Sequence, residues 1–320
     1  MLRRLVHLAS IVEVRIGWNR LALAVSVLLL VGSLAALWTV LRDVGINNVL
    51  ISIGSTAPRT LLAASLFVAI GYCSLTFYDY FALRVLGRAE VPYATAALAG
   101  FASYAIGHGV GAGLLTGNAV RLRIYSWWGL TVADVARIAF LSGLTFWLGN
   151  LCALGIVLLV AAGDASELVH LPEIASRTAG LVSLAVVAAY LAWLLPQPRR
   201  IGWAPWALTL PSAGLTLVQI GIGLLDLAAG SAALFVLLPS APSSDFVTIF
   251  LVYVLAALVS FLVHAPGSAG AFEATAIVLL PQYDKEALLA SLIILQFLYL
   301  VLPLAISTIV LGIRERMIEQ

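Results

Sequence analysis

Eight apolar runs constrain this chain more than any other feature: residues 21–41, 60–81, 93–120, 131–161, 178–196, 211–239, 245–281 and 286–312. Each meets or nearly meets the roughly 20 mostly apolar residues that a membrane-spanning helix requires. Composition agrees, since 62% of the 320 residues are hydrophobic, 10% are charged and the mean hydropathy is +1.09. A soluble domain carries about 45–50% apolar and about 25% charged residues. The chain is therefore expected to be an all-α integral membrane protein, with no room between its runs for a soluble catalytic domain.

The first run is too long for the apolar core of a signal peptide and lacks a small-x-small cleavage site, so it is expected to remain. Residues 1–20, with Arg3, Arg4, Arg15 and Arg20 among Leu, Val and Ile, suit either an amphipathic surface helix or an ordinary charged cap. The single membrane domain is expected to cover 21–312, with a short tail at 313–320.

Two runs carry glycine-rich breaks. One reads Gly107-His108-Gly109-Val110-Gly111-Ala112-Gly113, the other His264-Ala265-Pro266-Gly267-Ser268-Ala269-Gly270. Proline removes a backbone donor, and each glycine weakens a helix by about 1 kcal/mol relative to alanine. Such a run either crosses the membrane or enters half-way and turns back.

Basic residues decide between these options, because they favour cytoplasmic loops. Eight full spans leave nine bases inside and seven outside, which is hardly a bias. If 93–120 and 245–281 are re-entrant hairpins, about six helices span and both termini are cytoplasmic. Arg3, Arg4, Arg15, Arg20, Arg84, Arg88, Arg121, Arg123, Arg199, Arg200, Arg314 and Arg316 are then inside. Arg42, Arg59, Arg177 and Lys285 are outside, giving 12 against four, with Arg137 within a span. The re-entrant arrangement also makes 60–161 and 211–312 the same three elements upside down, an inverted repeat of the kind found in secondary transporters. The two units align only with gaps, since Asp79 and Asp226 lie 147 residues apart but His108 and His264 lie 156 apart.

A charge at the bilayer centre costs about 2.5–3.5 kcal/mol, so charges inside the runs are candidate functional groups. Asp226, mid-way along its run, serves either a headgroup or a structural Arg partner. Asp79, near the inner end of its helix, either serves a headgroup or reaches headgroup water. Glu273 either faces a cavity or caps its own half-helix. Arg121 and Arg123, one residue apart, form a phosphate fork if that stretch is extended, or else anchor the topology together with Trp127 and Trp128. Arg137 and Asp134 have the spacing of a pair within one helix. Gly109, Gly113 and Gly117, four apart, suit close helix packing. His108 and His264 lack the companions of a metal site, so neither metal nor cofactor is expected. The two cysteines, Cys73 and Cys152, lie inside apolar runs and build no disulfide framework. The net charge of +2 gives no case for nucleic acid binding. Nucleotide-binding and hydrolase motifs are missing as well.

Several strings resemble the membrane region of bacterial lysylphosphatidylglycerol synthetases, the multiple peptide resistance factor family. They are Tyr78-Asp79-Tyr80-Phe81-Ala82-Leu83-Arg84-Val85-Leu86-Gly87, Ala97-Leu98-Ala99-Gly100-Phe101, Gly117-Asn118-Ala119-Val120-Arg121-Leu122-Arg123-Ile124-Tyr125-Ser126, Leu144-Thr145-Phe146-Trp147-Leu148-Gly149, and His264 to Ala274. They stand in family order over most of the chain. Ser268 replaces the second glycine of the family's proline-glycine loop, and Asn118 stands where glycine is common. The resemblance implies a flippase that moves aminoacylated phosphatidylglycerol outward, without the family's cytoplasmic transferase.

The combined expectation is a lipid flippase or transporter of the bacterial inner membrane, not an enzyme. Its partners would be membrane phospholipids, a second copy or a separate synthase. The expected headgroup residues are Arg121, Arg123, Asp79, Asp226 and Glu273. Gly109, Gly111, Gly113, Pro266, Gly267 and Gly270 would form the re-entrant turns. One rival is the membrane part of a lipid aminoacyltransferase system. The other is a non-transporting scaffold that docks through the Gly109/Gly113/Gly117 face.

Overall fold

A computed structural model of the chain describes residues 45–110, 113–170, 172–195, 199–202, 207–242, 244–263 and 270–318. The expected segments 1–20 and 21–41 lie outside these residues, as do Gly111 and the Pro266-Gly267 turn. The described elements are α1 (Ile46–Ser55), α2 (Pro58–Val85), α3 (Tyr93–Val110), α4 (Gly113–Tyr125), α5 (Val132–Val160), α6 (Ala162–Val169) and α7 (Glu173–Leu194). A two-residue β-ribbon follows, pairing Arg200 with Thr209 and Ile201 with Leu208. Then come α8 (Ala213–Leu237), α9 (Phe246–Val263), α10 (Ala271–Leu279), α11 (Lys285–Gln296), a π-turn (Phe297–Val301) and α12 (Leu302–Ile318).

Among the described residues, five helices are long and apolar enough to cross a membrane: Pro58–Val85, Val132–Val160, Glu173–Leu194, Ala213–Leu237 and Lys285–Arg314. These coincide with five of the expected runs. The protein is an all-α membrane protein.

The helix ends follow local chemistry. Pro58 begins α2, where its missing N–H costs nothing. Thr131 caps α5 in a reciprocal box with Asp134, and Ser212 caps α8 by accepting the Leu215 N–H. Gly270 stands at φ +83° immediately before α10, a left-handed conformation in which a side chain would be strained.

Both glycine-broken runs fold as helical hairpins. In the first, α3 and α4 pack against each other so tightly that a Cβ on Gly117 would lie 2.9 Å from the Ser103 carbonyl oxygen. The second closes at its base, where the Gln282 amide and the Tyr283 hydroxyl both reach the Ser244 hydroxyl at 3.1 Å. At about 1.5 Å per residue, α4 is ~20 Å long and α10 ~13 Å, both short of a ~30 Å hydrocarbon core.

The long helices α2 and α8 form the centre of the bundle. They run antiparallel, because Gly71 lies opposite Asp226 and Ala229 while the Tyr78 hydroxyl reaches Gly223. A third helix, α5, joins them where Gly149 and Gly223 bring two backbones into direct contact. Each hairpin packs on a central helix and on a more distant one: α3 on α2 and α12, α9 on α8 and α5. The principal core cluster draws side chains from α2, α8, α9, α10 and α11.

The last long span is not one regular helix. Pro303 has no N–H for the carbonyl of Tyr299, four residues earlier. The backbone responds with a π-turn in which the Leu302 N–H bonds to the Phe297 oxygen. The freed Tyr299 carbonyl instead accepts the Tyr72 hydroxyl at 2.7 Å. π-Turns of this sort often mark functional sites.

Candidate functional site: two buried carboxylates

Asp79 is fully buried on α2 and saturated with donors. Arg121 grips it side-on, Nε lying 3.1 and 2.9 Å from Oδ1 and Oδ2 and Nη2 lying 2.8 Å from Oδ1. The Tyr125 hydroxyl donates to Oδ2 at 2.9 Å and the Ser142 hydroxyl to Oδ1 at 3.3 Å. Nη1 of Arg121 reaches Asn118 Oδ1 at 3.3 Å. The site thus ties α2, α4 and α5 together. Gly100 of α3 leaves room for it, since a Cβ there would lie 3.6 Å from that of Asp79.

This geometry corrects the expected phosphate fork. Arg121 and Arg123 belong to the helix α4, not to an extended stretch, so a spacing of two places them on nearly opposite faces. Arg121 is buried on Asp79, whereas Arg123 is exposed. Nor does Asp79 reach headgroup water, because its side chain has no exposed surface.

Asp226 is also buried, yet its setting differs. Its Oδ1 accepts the Tyr299 hydroxyl at 3.1 Å, and among the described residues no Arg, Lys or His forms an ion pair with it. A Cβ on Gly71 would lie 3.2 Å from that carboxylate and 3.1 Å from the Tyr299 hydroxyl. Phenols surround the site. Tyr253 hydrogen-bonds to Tyr299, and Tyr72, Tyr78 and Tyr104 stand within electrostatic range of Asp226. The Tyr72 ring packs on Tyr299 at 5.4 Å and on Phe101 at 5.3 Å, while Tyr78 meets Tyr104 edge-on at 6.4 Å. Tyr104 stacks in turn on His108 at 4.6 Å, where the α3 hairpin arm becomes exposed.

The remaining candidates separate by environment. Half-buried Glu273 accepts the Gly270 N–H at 3.0 Å and bonds to Gln296, so it caps its own arm. Arg137 pairs with Asp134 at 3.1 Å, and Arg88 reaches the same carboxylate at 3.4 Å. Gly117 faces the inside of its own hairpin, which corrects its assignment to an external docking seam. Gly109 stands in the last turn of α3 and Gly113 begins α4. His264 lies outside the described residues. No group of three or more His, Cys, Asp or Glu able to hold a metal occurs among the described residues.

Sequence reasoning missed Tyr72, Tyr125, Ser142, Tyr253 and Tyr299. The available signal was Pro303, four residues after Tyr299, together with tyrosines inside apolar runs, whose hydroxyls need partners once buried.

The fold and these two sites define a multi-pass helical membrane protein with a polar interior. The chain belongs to the family of the uncharacterized protein slr0712 of Synechocystis sp., with which it shares 32% identity over 295 residues, 91% of each sequence. It is also 27% identical to the inner membrane protein YbhN of Escherichia coli over 276 residues, 85% of this chain and 81% of that one. No family model matches the sequence.

Proposed function

We propose that this chain is a phospholipid flippase or transporter of the bacterial inner membrane, moving an anionic or aminoacylated lipid of the phosphatidylglycerol type between leaflets. The observation that carries the reading is a buried carboxylate, Asp226, which has no cationic partner among the described residues and sits amid tyrosines between antiparallel helices packed by two glycine-broken hairpins. Intramembrane carboxylates of this kind mark substrate and ion pathways.

On this reading residues 60–161 and 211–312 are inverted units whose hairpins enter the membrane half-way. The packing supports it, since exchanging α2, α3, α4 and α5 for α8, α9, α10 and α11–α12 maps the contacts of one unit onto the other. Antiparallel α2 and α8 and the short arms α4 and α10 support it further. The cytoplasmic placement of both termini rests on the base count, and the inner-membrane location on the E. coli relative.

The resemblance to the lysylphosphatidylglycerol synthetase membrane region supports a phosphatidylglycerol-type substrate. Its phosphate is assigned to Arg121, released from Asp79, with Arg123 at the cytoplasmic end of α4. Asp226 answers a cationic headgroup, and Glu273 lines the path beside it. Acyl chains fit the apolar groove of about 500 Å³ between α2 and α8, lined by Leu66, Ile70, Phe77, Phe81, Ile222 and Leu225.

The test is reconstitution in vesicles with acyl-labelled phosphatidylglycerol, lysylphosphatidylglycerol or phosphatidylcholine, reading the fraction accessible to dithionite over time. Faster exposure of the first two than of the third is expected. Equal rates with and without protein would overturn the reading, as would tRNA-dependent aminoacyl-lipid synthesis by the isolated chain. A Cys probe at Ser126, exposed after α4, is expected to react only from the cytoplasmic side.

A further inference from the structure

We propose that Asp226 is a proton-binding exchange site: its carboxyl holds a proton while occluded and gives it up when the ammonium group of an amine-bearing lipid headgroup takes its place. The proposal rests on the transport reading above and adds an energy source and a stoichiometry to it.

The argument begins with the difference between the two buried acids. Asp79 is paired with the Arg121 guanidinium inside the bundle. Asp226 has no such partner among the described residues, and a buried carboxylate without a cation costs several kcal/mol. A proton removes that cost, and so does a bound ammonium ion. The groups acting on Asp226 are Tyr72 and Tyr78 from α2, Tyr104 from α3, Tyr253 from α9 and Tyr299 from the π-turn. Among the described residues no ion pair joins Asp226 to the packed helices α5, α7 and α11. Every one of these neighbours is a neutral phenol, whose ring face attracts an ammonium ion and whose hydroxyl donates to a carboxylate. The same ring of phenols therefore suits either the neutral acid or an ammonium–carboxylate pair, and both states are net neutral.

The exchange balances. The carboxylic acid releases one proton to water as one ammonium group enters, and the carboxylate takes one proton back as the ammonium leaves. Neither electrons nor covalent bonds other than O–H are involved. A proton arriving from the more acidic side displaces the amine, so a pH difference drives the headgroup across without nucleotide hydrolysis.

The experiment uses the full chain in vesicles of phosphatidylglycerol at neutral pH. Infrared difference spectra are expected to contain a carboxylic acid C=O band that Asp226→Asn abolishes and Tyr299→Phe shifts, because the phenol bonds the acid directly. Adding lysylphosphatidylglycerol in weak buffer is expected to release about one proton per chain and bleach the band, whereas added phosphatidylglycerol does neither. Asp226→Glu, which keeps the acid, is expected to restore both signals if Asp226→Asn folds poorly. Identical spectra for wild type and Asp226→Asn would overturn the proposal, as would a band indifferent to the aminoacyl lipid. The two readings fail separately. Lipid movement without these signals overturns proton exchange alone, while both signals without lipid movement uphold the exchange site and overturn the transport reading.

Discussion

Asp79 and Asp226 stand on neighbouring antiparallel helices, both buried, and the bundle treats them in opposite ways. Four side-chain donors reach the two oxygens of the first: Nε and Nη2 of Arg121 and the hydroxyls of Tyr125 and Ser142. Among the described residues the second has one side-chain hydrogen-bond donor, the Tyr299 hydroxyl, in a setting of phenols. Burial alone therefore does not define the role of an intramembrane acid. A carboxylate locked to an arginine fixes three helices in register, whereas one held by phenols keeps the freedom to bind and release a cation.

The sharpest way to break this comparison is to remove each acid in turn. Asp79→Ala strands Arg121 in the interior and is expected to cost about 3–5 kcal/mol, the range for breaking a buried pair. Reversible unfolding in mixed micelles measures it. Replacing both partners, Asp79→Leu with Arg121→Met, is expected to recover most of the loss, since apolar residues of similar volume substitute well for a buried pair. No recovery would mean that Asp79 does more than hold Arg121.

Arg121→Lys comes next. A lysine ammonium cannot copy the side-on grip of Nε and Nη2, so a loss of about 1.5–3 kcal/mol is expected in the same assay. Arg123→Lys, exposed and on the other face of α4, is expected to change stability by less than about 0.5 kcal/mol. Equal effects at the two positions would restore the view of them as one fork.

Tyr72→Phe sharpens the second site. It removes the 2.7 Å bond to the Tyr299 carbonyl that Pro303 left unpaired, at an expected cost of about 1–3 kcal/mol. Hydrogen exchange at the π-turn should rise with it. Among the buried polar residues the smallest stability effect is expected for Asp226→Asn, within about 1 kcal/mol, because the neutral amide still accepts the Tyr299 hydroxyl and carries no buried charge. Its effect on movement of amine-bearing lipids in vesicles is expected to be large. Destabilisation on the scale of Asp79→Ala would mark Asp226 as structural and erase the contrast.

Gross architecture was legible in the residues because the bilayer imposes it. Apolar length picks out the long helices, and the clustered glycines at 107–113 and 264–270 mark the two runs that divide into paired shorter helices. Five expected runs match five long helices, and the two broken runs are hairpins. The pair Asp134–Arg137 was equally legible, since both residues sit on one turn of one helix. Whether Arg121 and Arg123 form a fork was not legible in the sequence, because it depends on where α4 ends. Gly117 packs on Ser103, and the helix continues to Tyr125.

By itself the sequence determined that this chain lies in a membrane, where it crosses and which charges remain inside, since those follow from desolvation energies summed along local segments. Only the tertiary structure decided which of those charges meet. Asp79 finds Arg121 across 42 positions, and Tyr299 finds Asp226 across 73. Such pairings are set by helix packing at the Gly71 and Gly149–Gly223 contacts, where missing side chains let backbones approach and bring distant polar groups within bonding range.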